Sequence, residues 1–172
     1  MTNSNKNKIV LVTGSRTGIG KETGVVFARN GYKVIFSGRK LGDCAVTVEK
    51  LLAEGLEASE IAIDLSDINN LEANVNRALE VWEGLDILIN NGAIIDPIAA
   101  LKQIRATELE NSTIINFVAP TMLIKYCWEH LKNKKGKVLN ILSGAATNAI
   151  EGWTAYCSTK AALHMINQQT HV

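Results

Sequence analysis

Ile9-Val10-Leu11-Val12 is an apolar run that breaks directly into Thr13-Gly14-Ser15-Arg16-Thr17-Gly18-Ile19-Gly20, and this junction constrains the fold more than any other part of the chain. An apolar run without polar alternation suits a strand covered on both faces, as in a parallel sheet. The glycines allow a close backbone approach, and the N-terminus of a following helix attracts anions. The pattern then repeats. A helix is expected from Gly18 to Asn30, stopped by Gly31, and a second strand from Val34 to Phe36. A helix near Cys44 to Ala53 leads to a third strand, Ile61 to Ile63, ending at Asp64. Asp67 to Trp82 carries Leu71, Val75, Leu79 and Trp82 along one helical side, and Ile87 to Ile89 forms a fourth strand.

Residues 94–106 read as a loop with a short helix. Thr107-Glu108-Leu109-Glu110 has the form of a capping box and predicts a long helix to about Leu131, with Pro120 imposing a kink or a local adjustment. Val138 to Leu142 is a fifth strand, and Gly152 to Gln168 a final helix. Strands alternating with helices imply an α/β fold: a Rossmann-like, doubly wound parallel sheet with right-handed crossovers and strand order 3-2-1-4-5.

The 172 residues favour a single domain spanning 1–172. A formal net charge of +1 gives no footprint for nucleic acid or a membrane surface. The one basic cluster, Lys132-Asn133-Lys134-Lys135-Gly136-Lys137, reads more readily as a solvated turn after a helix than as a phosphate patch. Cys44, Cys127 and Cys157 are odd in number and widely spaced, which suits reduced thiols and suggests no metal site. The N-terminus lacks the apolar stretch of a signal peptide, and no run reaches membrane-span length, so a cytoplasmic protein is expected.

Several residues stand where chemistry would be done. Gly14, Gly18 and Gly20, spaced Gly-x-x-x-Gly-x-Gly, suit close approach to a pyrophosphate, against the plainer reading of a tight turn without ligand. Arg39 follows the second strand with no acid at Gly38, which favours NADP(H) over NAD(H), since a guanidinium matches a 2′-phosphate; Arg16 could add a second contact. Asp64 reads equally as an adenine contact and as an N-cap for the next helix. Of Asn90 and Asn91, one could tie loops together and the other face the cofactor. Ser143 could donate to a substrate carbonyl, and Asn116, mid-helix, invites a polar role. Tyr156 and Lys160 lie four apart, on one helical face, where an ammonium favours a phenolate.

Taken in order, the glycine turn, Asp64-Leu65, Asn90-Asn91-Gly92-Ala93, Asn116, Ser143 and the Tyr156/Lys160 pair resemble the short-chain dehydrogenase/reductase family from Lys8 to about Gln168. The resemblance implies Tyr156 as catalytic acid/base, with Lys160 as its partner and a contact to the nicotinamide ribose. It implies Ser143 as carbonyl donor and Asn116 as holder of a proton-relay water. It implies cofactor contacts from Gly14, Ser15, Arg16, Gly18, Ile19, Gly20, Arg39, Asp64, Leu65, Asn91, Gly92 and Ala93, a small-molecule carbonyl substrate and a homodimer built on the last long helices. Ser143-Gly144-Ala145-Ala146 and Gly152-Trp153-Thr154-Ala155-Tyr156-Cys157 further resemble the sepiapterin and benzil reductase branch, which reduces dicarbonyls with NADPH.

The chain departs from the family at three points. Gly92-Ala93 reverses the usual Ala-Gly order, and Ser15 and Arg16 sit one place early. The sequence also ends at Val172, where the family continues with further strands and a substrate-covering loop. That opens an alternative expectation: an inactive nucleotide-binding remnant or an interaction protein.

Overall fold

A computed structural model of the chain describes residue 5 and residues 7–170. Five strands, β1 (Ile9–Val12), β2 (Lys33–Gly38), β3 (Ala58–Ala62), β4 (Ile87–Asn90) and β5 (Lys137–Asn140), form one sheet in the order β3-β2-β1-β4-β5, parallel throughout. The helices are α1 (Gly18–Arg29), α2 (Ala45–Ala53), α3 (Ile68–Glu80), α4 (Ala106–Thr113), α5 (Ala119–Lys134) and α6 (Thr154–Gln169). The expected topology is the observed one. Val10 pairs with Val34 on one side and Ile87 on the other, so β1 is central, and Val10, Leu11 and Val12 are wholly buried.

Alternate residues of the central strands serve opposite faces. Ile9, Leu11, Ile35 and Leu88 meet Leu71 and Val75 of α3 and Leu123, Cys127 and Leu131 of α5. Val10, Val12, Val34, Phe36 and Ile89 meet Ala28 of α1 and Val48 and Leu51 of α2. Each fully buried aliphatic or aromatic side chain contributes about 1.5–3 kcal/mol relative to exposure. The Phe36 ring lies 2.3 Å from where a Cβ on Gly24 would be, so only glycine lets α1 settle flat on β2.

Three local expectations are corrected. β3 runs from Ala58 to Ala62 rather than from Ile61, and its polar residues find partners: Glu60 accepts the Cys44 N–H at 2.6 Å, just before α2. β5 ends at Asn140, before Leu142. The long helix starts at Ala106, with Glu108 accepting the Arg105 N–H at 3.1 Å, so the cap lies two residues before the Thr107 signal.

Pro120 has no N–H to offer the Asn116 carbonyl. The chain accommodates this by widening into a π-helical stretch over Ile114–Val118, where the Ala119 N–H reaches back five residues to Ile114. At the far end, Lys135 is left-handed and the Gly136 N–H bonds to Leu131 O at 2.7 Å, so the basic cluster is the turn that ends α5.

The last long helices, on which a homodimer is expected, turn much of their apolar surface to this chain's own core. Leu163 is buried, Met122 and Ile166 pack on the core, and Ile114 and Val118 are half-buried. Among the described residues β5 pairs only with β4, and no helix is long and apolar enough to cross a membrane. The first four residues, residue 6 and the last two lie outside the described residues.

Candidate active site

In a parallel sheet all strands deliver their following loops to one rim, and the crevice opens where the crossovers diverge, here between β1 and β4. The loops after β1 and β4 are locked together there. Thr13 Oγ1 accepts the N–H groups of Asn91 and Gly92 at 3.0 and 3.1 Å, and Asn91 Nδ2 donates to the carbonyls of Thr13 and Gly14, both at 3.0 Å. Gly14 has φ +60°, and a Cβ on it would lie 2.6 Å from Gly92 Cα. A Cβ on Gly20 would lie 2.3 Å from Asn91 Nδ2. Two of the three expected phosphate-loop glycines are therefore needed first for backbone packing. Gly18, with φ +61° at the start of α1 and nothing within 4 Å of its absent Cβ, is open.

A cleft of about 510 Å³ runs beside this lock. Its lining includes Gly14, Arg16, Gly38 and Arg39 together with Asp64, Leu65, Gly92 and Ala93. Asp64 does not cap α3: its Oδ1 takes the N–H and hydroxyl of Ser66 at 2.9 and 2.7 Å, and Asp67 is the cap, accepting the Asn70 N–H. Leu65 is buried, and its Cδ1 lies 2.5 Å from where a Cβ on Gly92 would be, so the reversed Gly92-Ala93 order is matched by a leucine that fills the space.

Ser15, Asn91 and Ile19, expected to touch a cofactor, are not among the residues that line this cleft. Ser15 is fully buried; its N–H donates to Ser37 O, and its Oγ accepts the Ser37 N–H at 2.8 Å, so it sutures the turn to β2 rather than facing the cleft. Asn91 is the tie between loops. Asn90 is also inward, donating to Pro120 O and Asn140 Oδ1. Ile19, in the first turn of α1, is 66% exposed. Sequence reading missed Thr13 and Asp43; the cleft lining includes Asp43, whose acid stands five residues beyond the strand end where one was sought.

The second half of the site is built on α6. Tyr156 packs edge-on against Trp153, with ring centroids 5.5 Å apart. Lys160 is 97% buried, its Nζ donates to Ile141 O at 2.7 Å just beyond β5, and it lies 5.7 Å from the Tyr156 ring centroid. Among the described residues no carboxylate pairs with it, and burial pushes its pKa down. A buried cation with so little compensation costs stability, which points to a functional role.

Asn116 is buried in the π-helical stretch and its side chain is fully engaged. Oδ1 accepts the Ile94 N–H at 2.8 Å, and Nδ2 donates to Ile94 O at 2.8 Å, with Thr159 Oγ1 at 3.2 Å and Ser112 Oγ at 3.3 Å. It thus joins the loop after β4 to the helix turn between Tyr156 and Lys160. With the side chain occupied, Asn116 itself offers a water only its main-chain carbonyl, which Pro120 leaves without an i+4 donor. Ser143 Oγ accepts the Ala145 N–H at 3.2 Å, a bond that leaves its own hydroxyl proton to donate.

The residues present fit a nucleotide: an open glycine at a helix start, and a cleft lined by Arg39 after β2 and Arg16 from the glycine turn. Among the described residues no group of three or more His, Cys, Asp or Glu is placed to hold a metal ion. Cys44 and Cys127 are buried free thiols, and burial pushes Cys127 up to about 12.

A parallel sheet in this order with a glycine turn after its first strand defines the doubly wound dinucleotide-binding class. The chain belongs to the short chain dehydrogenase family, whose sequence profile matches residues 8–172. It is 31% identical over 160 residues to an uncharacterized oxidoreductase of Schizosaccharomyces pombe, covering 92% of this chain and 62% of the relative. It is 29% identical over 169 residues to the (S)-benzoin-forming benzil reductase of Bacillus cereus, covering 94% and 66%. Its fold matches the crystal structure of a 3-oxoacyl (acyl-carrier-protein) reductase from Agrobacterium tumefaciens C58 with NADP bound. That match has a TM-score of 0.90 at 29% identity and covers 97% of this chain and 64% of that one. The chain thus spans a little under two thirds of the length of these curated relatives.

Proposed function

We propose that this chain is the cofactor-binding and catalytic part of an NADP(H)-preferring carbonyl reductase acting on a ketone or dicarbonyl. The observation that carries the reading is Lys160: a buried ammonium, held by Ile141 O and facing the Tyr156 ring. A nicotinamide bound in the cleft would be the hydride source for the carbonyl carbon. Tyr156 gives its phenolic proton to the carbonyl oxygen, and Ser143 donates a hydrogen bond to that oxygen as negative charge develops. Lys160 stabilises the phenolate left behind and offers its remaining N–H groups to the nicotinamide ribose. Gly18 and the start of α1 would hold the pyrophosphate, and Arg39 the 2′-phosphate. The benzil reductase relative and the NADP-bound neighbour support this substrate class and cofactor. In the whole protein, pairing into a homodimer through the last long helices belongs to the same proposal.

The test is a pair of variants read by binding and turnover. The parent chain should bind NADPH more tightly than NADH, and Arg39→Ala should remove that difference, worth about 1.5–3 kcal/mol for a hydrogen bond to a charged group. Tyr156→Phe should keep NADPH affinity while lowering benzil reduction by about 10²–10⁴-fold. A Tyr156→Phe chain with more than about a tenth of parental turnover refutes the acid role. Tight NADPH binding by the parent without any turnover favours a nucleotide-binding protein over an enzyme.

A further inference from the structure

The end of β2 carries glycine, yet the space a side chain would occupy there is filled by a carboxylate from elsewhere. A Cβ on Gly38 would lie 2.4 Å from Asp43 Cβ and 2.8 Å from Asp43 Oδ2. Asp43 is fixed in that position by its own turn. Its Oδ2 accepts the Lys40 N–H at 3.2 Å, and its N–H donates to Lys40 O at 3.2 Å. Asp43, Gly38, Arg39 and Arg16 line the same cleft, with Asp64 also on its wall. With Asp96 on its wall as well, the cleft holds two guanidinium groups against three carboxylates, where a site built solely for a phosphate would be cationic.

Doubly wound sites place an acid after the second strand for the ribose hydroxyls, or an arginine for a 2′-phosphate. Here both are present, because the acid arrives from the residues before α2 and leans back over Gly38. On the reading of this cleft as a dinucleotide site, we propose that Asp43 is its ribose-recognising carboxylate and a determinant of cofactor specificity. It accepts a hydrogen bond from a free 2′-hydroxyl and opposes Arg39 when that hydroxyl carries a phosphate. The pocket accordingly takes both forms of the cofactor, and Asp43 narrows the preference that Arg39 sets without reversing it. Glycine at position 38 is part of the device, since a larger side chain there would displace Asp43.

Titrations of NADPH and NADH by quenching of protein fluorescence, without substrate, test this. Asp43→Asn removes the charge and keeps an oxygen for the Lys40 N–H; Asp43→Ser is a second variant that keeps a smaller acceptor. Both should bind NADPH more tightly, by roughly three- to ten-fold, and NADH more weakly by a similar factor. Opposite movement of the two affinities is the signature a merely structural role would not produce. Unchanged affinities, or affinities that fall together, overturn the proposal while leaving the cofactor reading standing. A parent chain that binds neither nucleotide overturns both.

Discussion

Replacing Asn116 with alanine should destabilise the fold and release the loop after β4 before it affects anything chemical. The side chain serves both the N–H and the C=O of Ile94, each at 2.8 Å, so alanine strands two backbone groups at once. Ile94 is half-buried, so water can partly compensate, and each loss is set at about 1 kcal/mol. Ser112 Oγ is fully buried and loses a donor, adding about another 1 kcal/mol, whereas Thr159 Oγ1 keeps its bond to Ala155 O. The sum is about 3 kcal/mol, read as a lower urea midpoint at unchanged slope. Hydrogen exchange at the Ile94 amide should accelerate beyond what global destabilisation explains. Asn116→Asp gives a sharper version. A carboxylate can accept from the Ile94 N–H but cannot donate to Ile94 O or Thr159 Oγ1. Ionisation is therefore disfavoured in the folded state, and the carboxyl pKa is raised there. Stability relative to the parent is then retained at low pH and lost as pH rises through that raised pKa. If Asn116→Ala lost less than about 0.5 kcal/mol and the Ile94 amide stayed protected, the assignment of Asn116 as the tie between loop and helix would fail.

Two further outcomes follow from the same geometry. Gly18→Ala should cost about 1–2 kcal/mol for its left-handed backbone alone, because its Cβ would meet nothing. Gly14→Ala should cost about 1–3 kcal/mol more for the collision with Gly92, so equal urea midpoints for the two variants would contradict the loop lock. Lys160 has a folded-state pKa depressed below 10.5 by burial, so the unfolded chain binds the extra proton between the two values, and stability contributed at this position rises with pH across that window. The stability of the parent relative to Lys160→Met should therefore climb as pH approaches 10.5, and a flat or falling difference would show that the ammonium is not desolvated.

What the sequence determined by itself was local in origin. The run Ile9–Val12, the glycine turn, Gly31 as the stop of α1 and the strand–helix alternation specify a parallel sheet. Backbone freedom and the periods of helix and strand act over a few residues and can be read from them. Chirality of the crossovers and burial of the first strand then leave little choice of strand order. Tyr156 and Lys160 were legible for the same reason, one helical turn apart.

The tertiary structure decided which of the conspicuous polar residues face the cleft. Ser15 in the glycine loop and Asn91 beside it turn to protein partners: the buried Ser15 hydroxyl to Ser37, and the half-buried Asn91 amide to the Thr13 and Gly14 carbonyls. Thr13 gains its role from Asn91, 78 residues away. The π-helical stretch at Asn116 needs both Pro120 and the Ile94 backbone, and the polar start of β3 needs the N–H of Cys44. Asp43 reaches the place of an absent side chain only because the turn from Lys40 folds it back over Gly38. Local pattern sets which segments can pair; the accounting of buried donors and acceptors, made between distant parts of the chain, sets which side chains remain to meet a ligand.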